Sequence, residues 1–112
     1  MLTYDKPPDA TKLRAARVKI RSRYGTALGK DDVDLFVSHH LEELSEDEWR
    51  SVGKEIPTSH DILDALVLRS VWGDEESEAT ETYDFTLPNE MTQYVIAVKF
   101  EGETIVDIDM ES

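Results

Sequence analysis

Tyr94-Val95-Ile96-Ala97-Val98-Lys99-Phe100-Glu101-Gly102-Glu103-Thr104-Ile105-Val106-Asp107-Ile108-Asp109-Met110-Glu111 is the stretch that decides the fold of this chain. Tyr94, Ile96, Val98 and Phe100 fall at alternate positions, as do Thr104, Val106, Ile108 and Met110, which is the period of a half-buried strand. A short polar link around Gly102 joins the two runs, so the stretch predicts a β-hairpin. Its register follows from the apolar pattern. A two-residue loop at Glu101-Gly102 pairs Ile96 with Asp107 and Tyr94 with Asp109, which sets carboxylates on the apolar face. A three-residue loop over 101–103 pairs Phe100 with Thr104, Val98 with Val106, Ile96 with Ile108 and Tyr94 with Met110. A slip of one residue turns every side chain to the other face, so the three-residue loop is the expectation. The outer face then shows Val95, Ala97, Lys99, Ile105, Asp107 and Asp109. It is only partly polar, and Val95 and Ile105 invite a cover.

Working backwards, Tyr83, Phe85 and Leu87 alternate with Asp84 and Thr86 and predict another half-buried strand, followed by a loop from Pro88-Asn89 through Thr92. Residues 73–81, GDEESEATE, are acidic and show no apolar face; they predict a turn or mobile loop. Leu66–Trp72 is apolar and β-branched, either a strand or the end of a helix. The first half reads differently. Residues 1–8, ending in Pro7-Pro8, predict an extended lead-in. Asp9 is the N-cap of a helix running to about Tyr24, with Gly25 as its stop and Leu13, Ala16, Ile20 and Tyr24 as the buried stripe. A second helix spans about 31–44, with Val33, Phe36, Val37, Leu41 and Leu44 on one face and Asp31, Asp32 and Asp34 at the positive end of its dipole. Ser45 and Glu48 form a capping box for a short helix through about Val52, closed by Gly53 and Pro57. Thr58 or Ser59 caps a further turn or two from His60 to about Asp64. The 112 residues therefore predict one α+β domain, with residues 1–64 mainly helical and 65–112 mainly β. The N-terminal helices pack on one face of a C-terminal antiparallel sheet of three or four strands.

The charges are sorted. Residues 1–29 hold seven of the twelve Lys and Arg and two acids; residues 30–73 hold eleven acids and four bases; residues 74–112 hold twelve acids and one base, Lys99. The net charge is −13. Such a field argues against bare nucleic acid and anionic lipid as partners and favours a cationic one. The basic residues of the first helix are spread round its polar arc, a solvated face that also pairs with the protein's own surplus carboxylates. The acidic set is Asp74, Glu75, Glu76, Glu78 and Glu81 in one loop, and Glu101, Glu103, Asp107, Asp109 and Glu111 on the last hairpin and its outer face. Solubility alone accounts for many acidic surfaces, and a steering surface for a basic protein is the functional reading. With Val95 and Ile105 on the outer face, a homodimer is also compatible.

Catalytic and metal signatures are weak. His39 and Glu43 are four apart and could share an ion, but the helical H-E-x-x-H pattern is absent, and the expectation is two histidines near a solvated face. His60 with Asp61 and Asp64 reads the same way. The glycines form no phosphate cradle, and no serine sits in a G-x-S-x-G elbow. With no cysteine, thiolate metal sites, thiol catalysis and disulfides are excluded. No apolar run approaches the length of a membrane span, and the first twelve residues lack the apolar run of a signal peptide. The expectation is a non-enzymatic cytoplasmic protein without a cofactor or metal.

Tyr83-Asp84-Phe85-Thr86-Leu87-Pro88, then Tyr94-Val95-Ile96-Ala97-Val98-Lys99-Phe100, then Asp107-Ile108-Asp109-Met110-Glu111-Ser112, resembles the ending of a family of small bacterial proteins without assigned enzymatic activity. Relatives of that family are thought to be immunity proteins of polymorphic-toxin or contact-dependent inhibition systems. The resemblance covers roughly residues 62–112, and the link at Glu101-Gly102-Glu103 is shorter than the family's usual loop. It implies an acidic inhibitor that neutralises a cognate basic toxin, such as a nuclease, by occlusion. A general protein-interaction or regulatory module with another partner is the alternative.

Overall fold

In a computed structural model of the chain, the decisive hairpin is formed by β4 (Val95–Glu101) and β5 (Thr104–Glu111). The structure describes residues 3–4, 9–50, 58–74, 77–88 and 91–111; at 3–4, 74 and 77–79 the backbone alone is described. The turn holds two residues, Gly102 and Glu103, with Glu101 opposite Thr104. Gly102 has φ +63°, the left-handed region that both tight hairpin turns require at their first central position. The expected register is therefore corrected. Phe100 faces Ile105 and Lys99 faces Asp107, so Val106 is an extra residue, a β-bulge. Beyond it Val98 pairs with Ile108 and Ile96 with Met110. The bulge restores the inward direction of Ile108 and Met110 while allowing the tight turn, a combination the choice between two regular registers left out. Ile105 consequently packs against the core and Val106 is 48% exposed, the reverse of the sequence reading.

The sheet is a meander. β2 (Val67–Asp74), β3 (Ser77–Thr86), β4 and β5 pair antiparallel in that order, and β1 (Thr3–Tyr4) adds to β2 in parallel. Leu66–Trp72 thus belongs to a strand except for Leu66, which caps the preceding helix. The expected acidic loop at 73–81 is also corrected: Gly73 and Asp74 end β2, and Ser77–Glu81 begin β3, with Glu81 opposite both Gly73 and Phe100. Pairing of Ser77 and Glu81 with β2 and of Thr80 and Glu81 with β4 carries this polar segment as a strand against its local composition. Glu75 and Glu76 lie outside the described residues, as do Val52, Gly53 and Pro57.

Among the described residues four helices supply the other layer: α1 (Ala10–Arg23), α2 (Val33–Glu43), α3 (Glu46–Arg50) and α4 (Ser59–Ala65). Their ends follow local chemistry. The Asp9 carboxylate accepts from the amides of Thr11 and Lys12 at 2.8 and 3.2 Å, and Gly25 (φ +81°) lies just past the end of α1. Ser45 and Glu48 exchange capping bonds of 3.1 and 3.2 Å, and Thr58 with Asp61 forms the same box for α4. Gly29 allows a close approach: a Cβ there would sit 2.1 Å from the Arg23 carbonyl oxygen. One core joins the layers. Ala16, Ile20, Phe36, Val37, Trp49, Ile62 and Leu63 from the helices meet Val71, Tyr83, Phe85, Ile96, Val98, Phe100 and Ile108 from the strands. The Tyr83 hydroxyl accepts from the Asp9 amide at 2.9 Å and ties the start of α1 to β3. All four helices feed this core, which lies on one face of the sheet.

Candidate functional site, the uncovered face of the sheet

Side chains alternate across a strand, so the register sorts the remaining residues into rows on the face away from the core. One row runs Trp72, Thr82, Lys99, Asp107 across β2 to β5; the next runs Ser70, Asp84, Ala97, Asp109. Val95 and Glu111 follow on β4 and β5. Thr82, Val95 and Ala97 are short and sunk between larger neighbours, with 5–7% exposure. Trp72 is 42% exposed on one side, and Asp107, Asp109 and Glu111 are exposed on the other. The result is a depression of about 290 Å³, floored by Thr82 and Ala97 and walled by Trp72 and by the β5 carboxylates.

Trp72 is held rather than loose. Its indole N–H donates to Asp84 Oδ2 at 3.0 Å, and the Ser70 hydroxyl donates to the same oxygen at 2.9 Å. Asp84 Oδ1 is buried and has no hydrogen-bond partner. The carboxylate therefore fixes the aromatic wall and adds negative charge at its edge. Lys99 is the one base in the row and stands opposite Asp107 in the register; the neighbouring rows add the carboxylates of Asp84, Asp109 and Glu111.

The acidic residues singled out from sequence separate into three groups. Asp107, Asp109 and Glu111 come together on the open face, and Glu101 and Glu103 lie exposed at the end of the same hairpin. Glu81 is on the opposite side: its carboxylate meets Lys12 of α1 at 3.3 Å, with both side chains under a fifth exposed. The side chains of Asp74 and Glu78, and all of Glu75 and Glu76, lie outside the described residues. Sequence reasoning missed Trp72, Thr82 and Asp84 as parts of one surface. The signal was present in the alternation of Tyr83 and Phe85 with Asp84, but the bulge at Arg69, between Leu68 and Ser70 in the β2–β3 ladder, hides the phase of Trp72.

Four of the six bases of α1 are engaged within the molecule, while Arg14 and Lys19 are exposed. Lys12 reaches Glu81 and lies over the Phe100 ring; Arg17 donates to the Leu66 carbonyl at 2.8 Å and stacks on Phe85; Arg21 pairs with Asp64. Arg23 meets Asp32 at 2.5 Å and also donates to the Leu28 carbonyl. Asp32 is only 6% exposed and caps α2 through the Val33 amide.

The histidines require a correction. His39 is half-buried against Tyr94, but His40 is 1% exposed rather than near a solvated face. Its Nδ1 lies 2.6 Å from the Phe36 carbonyl oxygen, so that nitrogen carries the hydrogen and donates. Its Nε2 then accepts from the Thr92 hydroxyl at 2.8 Å, and Thr92 Oγ1 accepts from the Tyr94 amide at 3.2 Å. Burial holds His40 below the usual imidazole pKa, partly offset by the Phe36 bond, with His39 adding to the lowering. The chain of bonds ties α2 to the segment entering β4. Among the described residues, no three metal-ligating side chains cluster closely enough to hold an ion, and no helix is long and apolar enough to cross a membrane.

Comparison of the chain with known families, with characterised proteins and with solved structures gives no match.

Proposed function

We propose that this protein is a non-enzymatic acidic binding protein that docks a basic protein on the open face and outer edge of its sheet. The observation that supports the reading is the difference between its two charged regions. Four of the six bases of α1 are engaged, by Glu81, Asp64, Asp32 and the Leu66 carbonyl, with Arg14 and Lys19 exposed, whereas Asp107, Asp109 and Glu111 project together from a face that no described helix covers. Surplus carboxylates beside an exposed tryptophan favour a cationic surface, through fast steered encounter and an aromatic anchor. The C-terminal resemblance to immunity proteins makes a basic toxin the partner to test first, in a cytoplasmic setting where the chain blocks it by occlusion. The test is co-expression with the product of the adjacent gene. A stable complex whose association slows as salt rises supports the reading, and an adjacent product that is neither toxic nor bound removes the toxin.

A further inference from the structure

Building on that reading, we propose that the depression between Trp72 and β5 receives an arginine side chain of the basic partner. Adjacent strands are about 4.8 Å apart, so the floor between the indole over β3 and the carboxylates of β5 is roughly 10 Å wide. That width takes one extended side chain laid across Thr82 and Ala97, its methylenes against the floor and indole and its head at Asp109 and Glu111. Arginine fits better than lysine. Its planar head meets a carboxylate through two parallel N–H bonds, and it sheds water more easily than an ammonium. Trp72 is already oriented by Asp84, so little side-chain freedom is lost when the anchor is occupied. The buried, unpartnered Asp84 Oδ1 places a further negative charge beside the edge of the same ring. Lys99, opposite Asp107, biases the cation towards Asp109 and Glu111.

The probe is a hexa-arginine peptide, with hexalysine as comparison, titrated into the full-length protein and followed by the amide and indole N–H resonances. The chain has two tryptophans and Trp49 is buried, so the Trp72 indole reports on the depression alone. The expected result is a saturating shift of the Trp72 indole and of the Ala97 and Asp109 amides, several-fold tighter for arginine than for lysine. Trp72→Ala weakens arginine binding about ten-fold, and Trp72→Phe, which keeps a ring face, recovers part of it. Asp109→Asn with Glu111→Gln removes the preference for arginine. Arginine binding that is unchanged in Trp72→Ala, in a variant whose spectrum remains dispersed, overturns the assignment. If the peptide instead shifts only resonances of Glu101, Glu103 or the helices, the basic-partner reading stands and the depression is not its arginine site. If it shifts nothing at low salt, both fail.

Discussion

Replacing Asp32 by asparagine tests whether the basic helix is committed to the protein's own interior. The substitution keeps the shape of the side chain and an oxygen to cap Val33, but removes the charge that faces Arg23 at 2.5 Å. Breaking a fully buried pair costs about 3–5 kcal/mol and an exposed one contributes about 0–1 kcal/mol. Asp32 is 6% exposed and the Arg23 side chain 19%, which places Asp32→Asn between them, at about 2–3 kcal/mol. Asp32→Ala also loses the cap and costs roughly 1 kcal/mol more. By urea unfolding, Asp32→Asn lowers the midpoint by roughly 1–2 M at the slope usual for a chain of this size. Arg23→Met completes a double-mutant cycle, whose coupling is expected at about 2 kcal/mol. Coupling below about 0.5 kcal/mol would refute the reasoning, because the Arg23 charge would then be free for an external partner.

Stability also depends on pH through His40. Burial lowers its pKa in the folded state below the 6.5 of an ordinary imidazole, so the unfolded chain binds the proton more readily. The contribution is present above pH 6.5 and is lost as pH falls through 6.5 towards the folded value, at up to about 1.4 kcal/mol per pH unit. His40→Gln flattens that part of the stability profile, and a His40 ring titrating at or above 6.5 by NMR contradicts the burial argument. On the hairpin, Val106→Lys changes stability by less than about 0.5 kcal/mol, whereas Ile105→Lys, which drives an ammonium into core packing, costs about 1–3 kcal/mol. The regular three-residue-loop register requires the opposite order in the same unfolding measurement. Gly29→Ala forces a methyl group onto the Arg23 carbonyl and lowers the melting temperature by several degrees, with a cost of about 1–3 kcal/mol.

Which parts of this fold could be read in advance follows from the range of the interactions. The ends of α1 and α4 depend on neighbours within four residues: Asp9 with Thr11 and Lys12, Thr58 with Asp61. The stripe through Ala16 and Ile20 and the alternation of Tyr83 with Phe85 are also local patterns, and both mark the core as expected. The errors arise where distant partners decide. The bulge at Val106 satisfies a tight turn and an inward Ile108 together, and no residue type announces it. Ser77–Glu81 is strand because Ser77 and Glu81 pair with β2, and Thr80 and Glu81 with β4. His40 is buried because Thr92, 52 residues away, supplies the partner for its second nitrogen. The outward placement of Asp107 and Asp109 was legible from their phase with Ile108, while their company with Trp72 needed the whole order of strands.

The most direct measurement is the association rate between this protein and the proposed partner, a basic protein encoded by an adjacent gene, taken at low and at physiological salt. It compares the wild type with Asp107→Asn/Asp109→Asn/Glu111→Gln and with a charge-matched control on exposed residues of the helical layer, Asp31→Asn/Glu42→Gln/Glu43→Gln. Steering by the sheet face predicts a rate that falls with salt and a sheet-face variant slowed at least ten-fold more than the control. Equal slowing in the two variants would show that only net charge matters and would contradict the sheet face as the docking surface.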